Sequence, residues 1–123
     1  RLEPWKKTMH TLSSMIVVGE DRVLALGLSG GHYRPLLQSQ ILTNIIDYGM
    51  DIQVALECPR FIWMIESNIV EYEYGLKPNN PKYQFIQKPY PYKTGVAAAV
   101  EHRGRVIAGY CDIRGDGIPI GLP

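Results

Sequence analysis

Two hairpin signals with helical patterns between them predict a layered α+β domain. The first hairpin is MIVV and RVLALGL around Gly19-Glu20-Asp21, and the second is TGVAAAVEH and RVIAGYCD turning near Arg103-Gly104. Between them, RPLLQSQILTNIIDYG repeats apolar residues at helical spacing.

Residues 1–11 are polar, carry Pro4 and lack a period, so an extended opening segment is expected. From Met15 to Leu28 the chain reads as paired strands, with Gly19 able to take a positive φ at the turn. Leu24, Leu26 and Leu28 share one face at strand period. Val23 and Ala25 are apolar on the other, which predicts burial on both sides. After Gly30-Gly31 the helix begins, with Pro35 suited to its first position and Gly49 to a left-handed C-terminal cap. Leu37, Ile41 and Ile45 form its apolar stripe.

A short second helix is expected from an Asp51 N-cap to about Glu57, stopped by Pro59. Ser67 to Tyr74 alternates as a strand. Residues 75–92, rich in Gly, Pro and Asn, read as a long irregular surface excursion. Ala97, Ala98 and Ala99 predict close packing by a facing element, and DIRGDGIPIGLP reads as a Gly/Pro-rich tail.

The chain of 123 residues fits one domain, with 46% hydrophobic and 20% charged residues and a formal net charge of +1. Its basic residues are scattered, which speaks against a nucleic-acid or acidic-lipid partner. No apolar run approaches the ~20 residues of a membrane helix. The chain opens RLEPWKK without an initiator Met or a signal peptide, so Arg1 is not expected to be a translation start.

Cys58 and Cys111 fit neither a metal pattern nor a redox CxxC, and read as small apolar residues or a disulfide pair. His10, His32 and His102 lack metal spacing and the order of a catalytic triad, so none is given a catalytic role. Glu66, Glu71 and Glu73 alternate and are expected to face water. Asp112, Arg114 and Asp116 read as an ion-paired tail or a crude cation loop, although the EF-hand template fails. Two places could hold a ligand. Ser13-Ser14 offers adjacent hydroxyls where a loop meets a strand. Gly30-Gly31 sits between a strand and a helix N-terminus, where two backbone N–H groups can converge as an oxyanion hole requires.

The order of these signals is more specific than any one of them. TLSSM, a hairpin, GLSGG, a helix ending in IIDYGMDIQVALECPRF, and DIRGDGIPIG resemble the C-terminal half of the gamma-glutamyltransferase small subunit. The likeness covers most of residues 1–123 and is weakest over 62–92. It implies part of the αββα sandwich of N-terminal-nucleophile hydrolases, made as a zymogen that cleaves itself. The freed N-terminal Thr of the small subunit would attack a gamma-glutamyl amide such as glutathione. Water or an amino acid would then resolve the acyl-enzyme. By the same resemblance, Ser13 and Ser14 hold the substrate α-carboxylate, and Gly30 and Gly31 supply the oxyanion N–H groups, without metal or cofactor. The implied partners are the large subunit, the N-terminal part of the small subunit and the gamma-glutamyl substrate. Relatives are often exported.

The sequence departs from the family pattern at three places. Thr11 stands where Pro is usual, Leu28-Ser29 replaces Ser-Pro, and Ile16 follows Met15 directly, which shortens the loop. The nucleophile is expected upstream of the Ser-Ser-Met loop. Thr8-Met9-His10 lies too close to Ser13 to supply it. A capsule-anchoring transpeptidase, a cephalosporin-type acylase and a non-catalytic domain of the same fold are the other readings.

Overall fold

The computed structural model describes residues 3–7, 12–64, 66–92 and 94–121. His10, Thr11, the Thr8-Met9-His10 run and most of the opening segment lie outside them. Strands β1 (Ser14–Val18) and β2 (Arg22–Leu28) lead through a 3-10 turn at Gly31–Tyr33 into α1 (Arg34–Ile46) and α2 (Ile52–Glu57). Strands β3 (Phe61–Met64), β4 (Ile69–Glu73) and β5 (Gln84–Lys88) follow, then β6 (Ala97–Arg103) and β7 (Val106–Cys111).

Two sheets result. The larger is antiparallel in the order β1-β2-β6-β7, and the smaller runs β3-β4-β5 with β4 and β5 parallel. In the larger sheet the register aligns Met15 with Leu26, and Leu26 with Ala99. These residues face α1 and α2, whose Leu37, Ile41, Ile52 and Leu56 complete the core. Ala97 and Ala99 are buried there, and their small side chains let the helices approach closely, whereas Ala98 points the other way. The caps follow the sequence pattern. Asp51 accepts from the N–H groups of Gln53 at 2.8 Å and Val54 at 3.4 Å, and Gly49 takes φ 63.

Four expectations need correction. Gly19 does not adopt a positive φ, because the turn closes by its N–H donating to Arg22 O at 2.8 Å. Burial of the first hairpin is one-sided, since both helices lie on one face. On the other, Ile16 is 70% and Ile107 72% exposed, beside Val18, Val23 and Val100. The tail lies along the β7 side, where a Cβ on Gly109 would lie 3.1 Å from Pro119 and one on Gly117 3.3 Å from Cys111 Sγ.

Residues 75–92 are not wholly irregular, because β5 pairs with β4 there. Edge-to-face rings tie this sheet together, Trp63 against Tyr83 at 5.9 Å and Tyr72 against Phe85 at 6.2 Å. Finally, Glu73 does not face water. It is wholly buried at the end of β4, where the tail folds over it.

Candidate functional site

The turn after β2 is held on three sides. Ser29 N–H donates to Val96 O at 2.9 Å, and Val96 N–H returns to Ser29 Oγ at 3.0 Å. Gly95, at φ 101, lies so close that a Cβ there would collide with Ser29 O. Gly30 has φ 146, and a Cβ on it would meet Leu37 Cδ1 at 3.0 Å and Leu28 Cδ2 at 3.3 Å. Gly30 is thus required twice, by conformation and by space. Gly31 has φ 58 but nothing within 4 Å of a Cβ, so only its backbone conformation selects glycine. Neither glycine's N–H donates to an acceptor among the described residues. Two donors without partners at a rigid turn can receive an anionic oxygen.

Ser13 and Ser14 lie at the same end of the sheet, since the register sets Ser14 against Gly27, three residues before Gly30. Strand alternation sends them apart. Ser13 Oγ donates to Gln38 Oε1 at 2.8 Å, and Gln38 Nε2 donates back to Ser13 O at 3.0 Å. Gln38 is 3% exposed and belongs to the buried stripe of α1, so Ser13 is tied to the core. Ser14 is exposed on the opposite face, and its hydroxyl bonds to none of the described residues. Its hydroxyl is the freer of the two. His32 follows Gly31 and is exposed, as is His102 near the end of β6.

A second polar group lies deep in the chain. Arg60 Nη2 bonds Asp112 Oδ2 at 2.7 Å, Arg114 Nη1 bonds Asp112 Oδ1 at 2.9 Å, and Arg114 Nε bonds Glu73 Oε1 at 2.8 Å. Arg114 Nη2 also pairs with Glu73 Oε2. The carboxylates accept further bonds from the N–H groups of Arg60, Tyr92 and Ala97. Two cations and two anions balance, which satisfies the condition for burying charge. Burial alone would push the Glu73 carboxyl up. The Arg114 bonds, with the Tyr92 and Arg60 N–H groups, hold it below its ordinary value. Burial pulls the Arg60 guanidinium down against the opposing pull of Asp112.

This cluster joins the CPRF segment to the DIR tail. Of the two readings of Asp112, Arg114 and Asp116, the ion-paired tail describes the first two, while Asp116 is exposed outside the cluster. The sequence signal for it was a charged residue inside each of two otherwise apolar or turn-forming motifs.

Among the described residues no group of three His, Cys, Asp or Glu side chains could hold a metal ion. Both thiols are free, with Cys58 Sγ 3.6 Å from Met50 Sδ. An aromatic cleft of about 420 Å³ lies over the smaller sheet, lined by Phe61, Trp63, Tyr72, Tyr83 and Phe85. None of the four serine and glycine candidates lines it.

Comparison with known proteins gives a consistent answer. The family model for gamma-glutamyltranspeptidase matches residues 1–122. The glutathione hydrolase-like YwrD proenzyme of Bacillus subtilis is 30% identical over 135 residues, covering 98% of this chain but 26% of that protein. Among solved structures, the Bacillus anthracis transpeptidase CapD superposes with a TM-score of 0.80 at 21% identity, over 98% of this chain and 75% of the other. A Helicobacter pylori gamma-glutamyltranspeptidase variant gives 0.72 at 28% identity, over 93% and 66%. The architecture is that of part of an N-terminal-nucleophile hydrolase.

Proposed function

This chain belongs to the gamma-glutamyltranspeptidase family, and from that premise we propose that it helps form an enzyme that hydrolyses or transfers gamma-glutamyl groups. The chain spans about a quarter of the YwrD relative, so the remainder of such an enzyme would supply the Thr nucleophile. Attack of the Thr hydroxyl on the gamma-carbonyl places negative charge on the carbonyl oxygen. The Gly30 and Gly31 N–H groups stabilise that charge, and collapse of the tetrahedral species expels the amine with a proton. Water or an amino acid then adds to the acyl-enzyme and releases the Thr. Ser14, assisted by Ser13, binds the α-carboxylate of the glutamyl group.

The observation that carries this reading is the pair of uncommitted N–H groups at a turn locked by Ser29, Val96 and Gly95. The test is acyl-enzyme formation in the complete enzyme, followed by intact mass after mixing with a gamma-glutamyl anilide. A glutamyl adduct that forms in the parent and about 100-fold more slowly in Gly31→Val is expected. A parent enzyme that forms no adduct, or a Gly31→Val variant as fast as the parent, overturns it.

A further inference from the structure

The pairing of β2 with β6 ends at Leu28 opposite Ala97, so the next opposed residues are Ser29 and Val96. In an antiparallel ladder a hydrogen-bonded pair exchanges two backbone bonds, N–H to carbonyl in each direction. Here only one of them joins backbone groups, Ser29 N–H to Val96 O at 2.9 Å. In the other, Val96 N–H donates to Ser29 Oγ at 3.0 Å, so the hydroxyl stands in for the carbonyl of its own residue. The displaced carbonyl lies against Gly95, in the space that a Cβ on that residue would need.

This displacement decides where the next N–H points. The Ser29–Gly30 peptide is planar and trans, so its C=O and the Gly30 N–H face opposite ways. With the carbonyl lodged against Gly95, the Gly30 N–H is directed away from the segment that holds it. The following peptide repeats the arrangement. Gly30 O accepts from Tyr33 N–H at 3.2 Å, which sends the Gly31 N–H to the side opposite Tyr33. Both donors are free because the carbonyls of their own peptides are held.

We propose that Ser29 is the positioning residue of the oxyanion turn, its hydroxyl fixing the direction of the Gly30 N–H. The proposal rests on the function inferred above and deepens it. Without the hydroxyl, Val96 N–H would lose its acceptor, and the acceptor that a regular ladder provides is the Ser29 carbonyl. Rotating that carbonyl onto Val96 rotates the Gly30 N–H with it, and the donor leaves the line on which the charged oxygen forms. Ser29 is exposed, so it steers the turn without contributing to the core.

The test compares Ser29→Ala and Ser29→Thr with the parent in the complete enzyme turning over a gamma-glutamyl anilide. Ser29→Ala should lower kcat about 10- to 100-fold and leave KM within about threefold, because the misdirected donor serves charge that develops during attack. Its melting temperature should change little, since Val96 N–H regains an acceptor. Ser29→Thr keeps the acceptor oxygen and should return kcat to within about threefold of the parent. A Ser29→Ala variant with parental kcat overturns the proposal, as does a Ser29→Thr variant no faster than Ser29→Ala. A fall in kcat accompanied by a raised KM and a lower melting temperature also overturns it, because the turn would then have loosened as a whole. A parent enzyme with no turnover overturns the function reading and this proposal together. If Gly31→Val slows the enzyme and Ser29→Ala does not, the oxyanion turn stands and Ser29 alone loses its role.

Discussion

Around Glu73, the Arg114 side chain alone makes five hydrogen bonds, to two carboxylates and the carbonyls of Leu56 and Cys58. Around Gly30, two backbone N–H groups make none with the described residues, and Ser14 likewise keeps its hydroxyl free. Both regions come from short motifs with charged, hydroxyl or glycine residues, and a motif alone does not reveal which kind it is. A saturated cluster holds the architecture, because each group is satisfied internally. A rigid region with spare donors can act on something outside itself.

Breaking the saturated cluster should have the largest effect. Arg114→Ala or Arg60→Ala leaves buried carboxylates without a cation and should cost about 3–5 kcal/mol of stability, measured by denaturant unfolding. A cost below about 1 kcal/mol would remove the distinction between the two regions.

At the turn, Gly31→Val should lower kcat of the complete enzyme ~100-fold and change stability by no more than about 2 kcal/mol, because only its φ is strained. Gly30→Val should damage both kcat and stability, since Leu37 and Leu28 occupy the space its side chain needs. Equal behaviour of the two variants would contradict the geometry.

Ser14→Ala should cost about 1.5–3 kcal/mol, seen mainly as a raised KM. Ser13→Ala should instead loosen the Gln38 contact and register more in thermal unfolding. Reversal of those two readouts would exchange their roles.

The pH response sharpens the contrast further. Glu73 has a folded value held below the ordinary 4.5 by Arg114 and two backbone N–H groups, despite burial. Its contribution to stability is therefore present above about 4.5 and lost as pH falls through the lower folded value. Glu73→Gln should flatten the acid limb of the stability curve. An unchanged limb would mean that other carboxylates set it. The smallest effect is expected for Asp51→Ala, about 1 kcal/mol from the lost helix cap.

The hairpins, both helices and their caps were legible because each is fixed by local period and turn chemistry. Strand β5 was not, because QFIQK sits among Pro and Asn residues and gains its order from pairing with β4 and from Tyr72 and Tyr83 packing on Phe85. Glu73 was misread for a related reason. Alternation gives the face of a strand, but the tail that buries this position arrives from 41 residues away. At the candidate site the Ser-Ser and Gly-Gly motifs were visible in sequence. The tie from Ser13 to Gln38 crosses 25 residues and was not.

The reach of the tail bears on how the chain is made. Arg114 closes on Leu56, 58 positions earlier, so the ion pairs of Arg60 with Asp112 and of Glu73 with Arg114 cannot form until the segment after β7 has been synthesised. The first hairpin and α1 can collapse while translation continues, but the ionic clasp cannot form early. Nascent chains halted after Cys111 should stay open to limited proteolysis, and chains carried past Arg114 should resist it. Equal resistance at both lengths would show that the domain closes without its final turn.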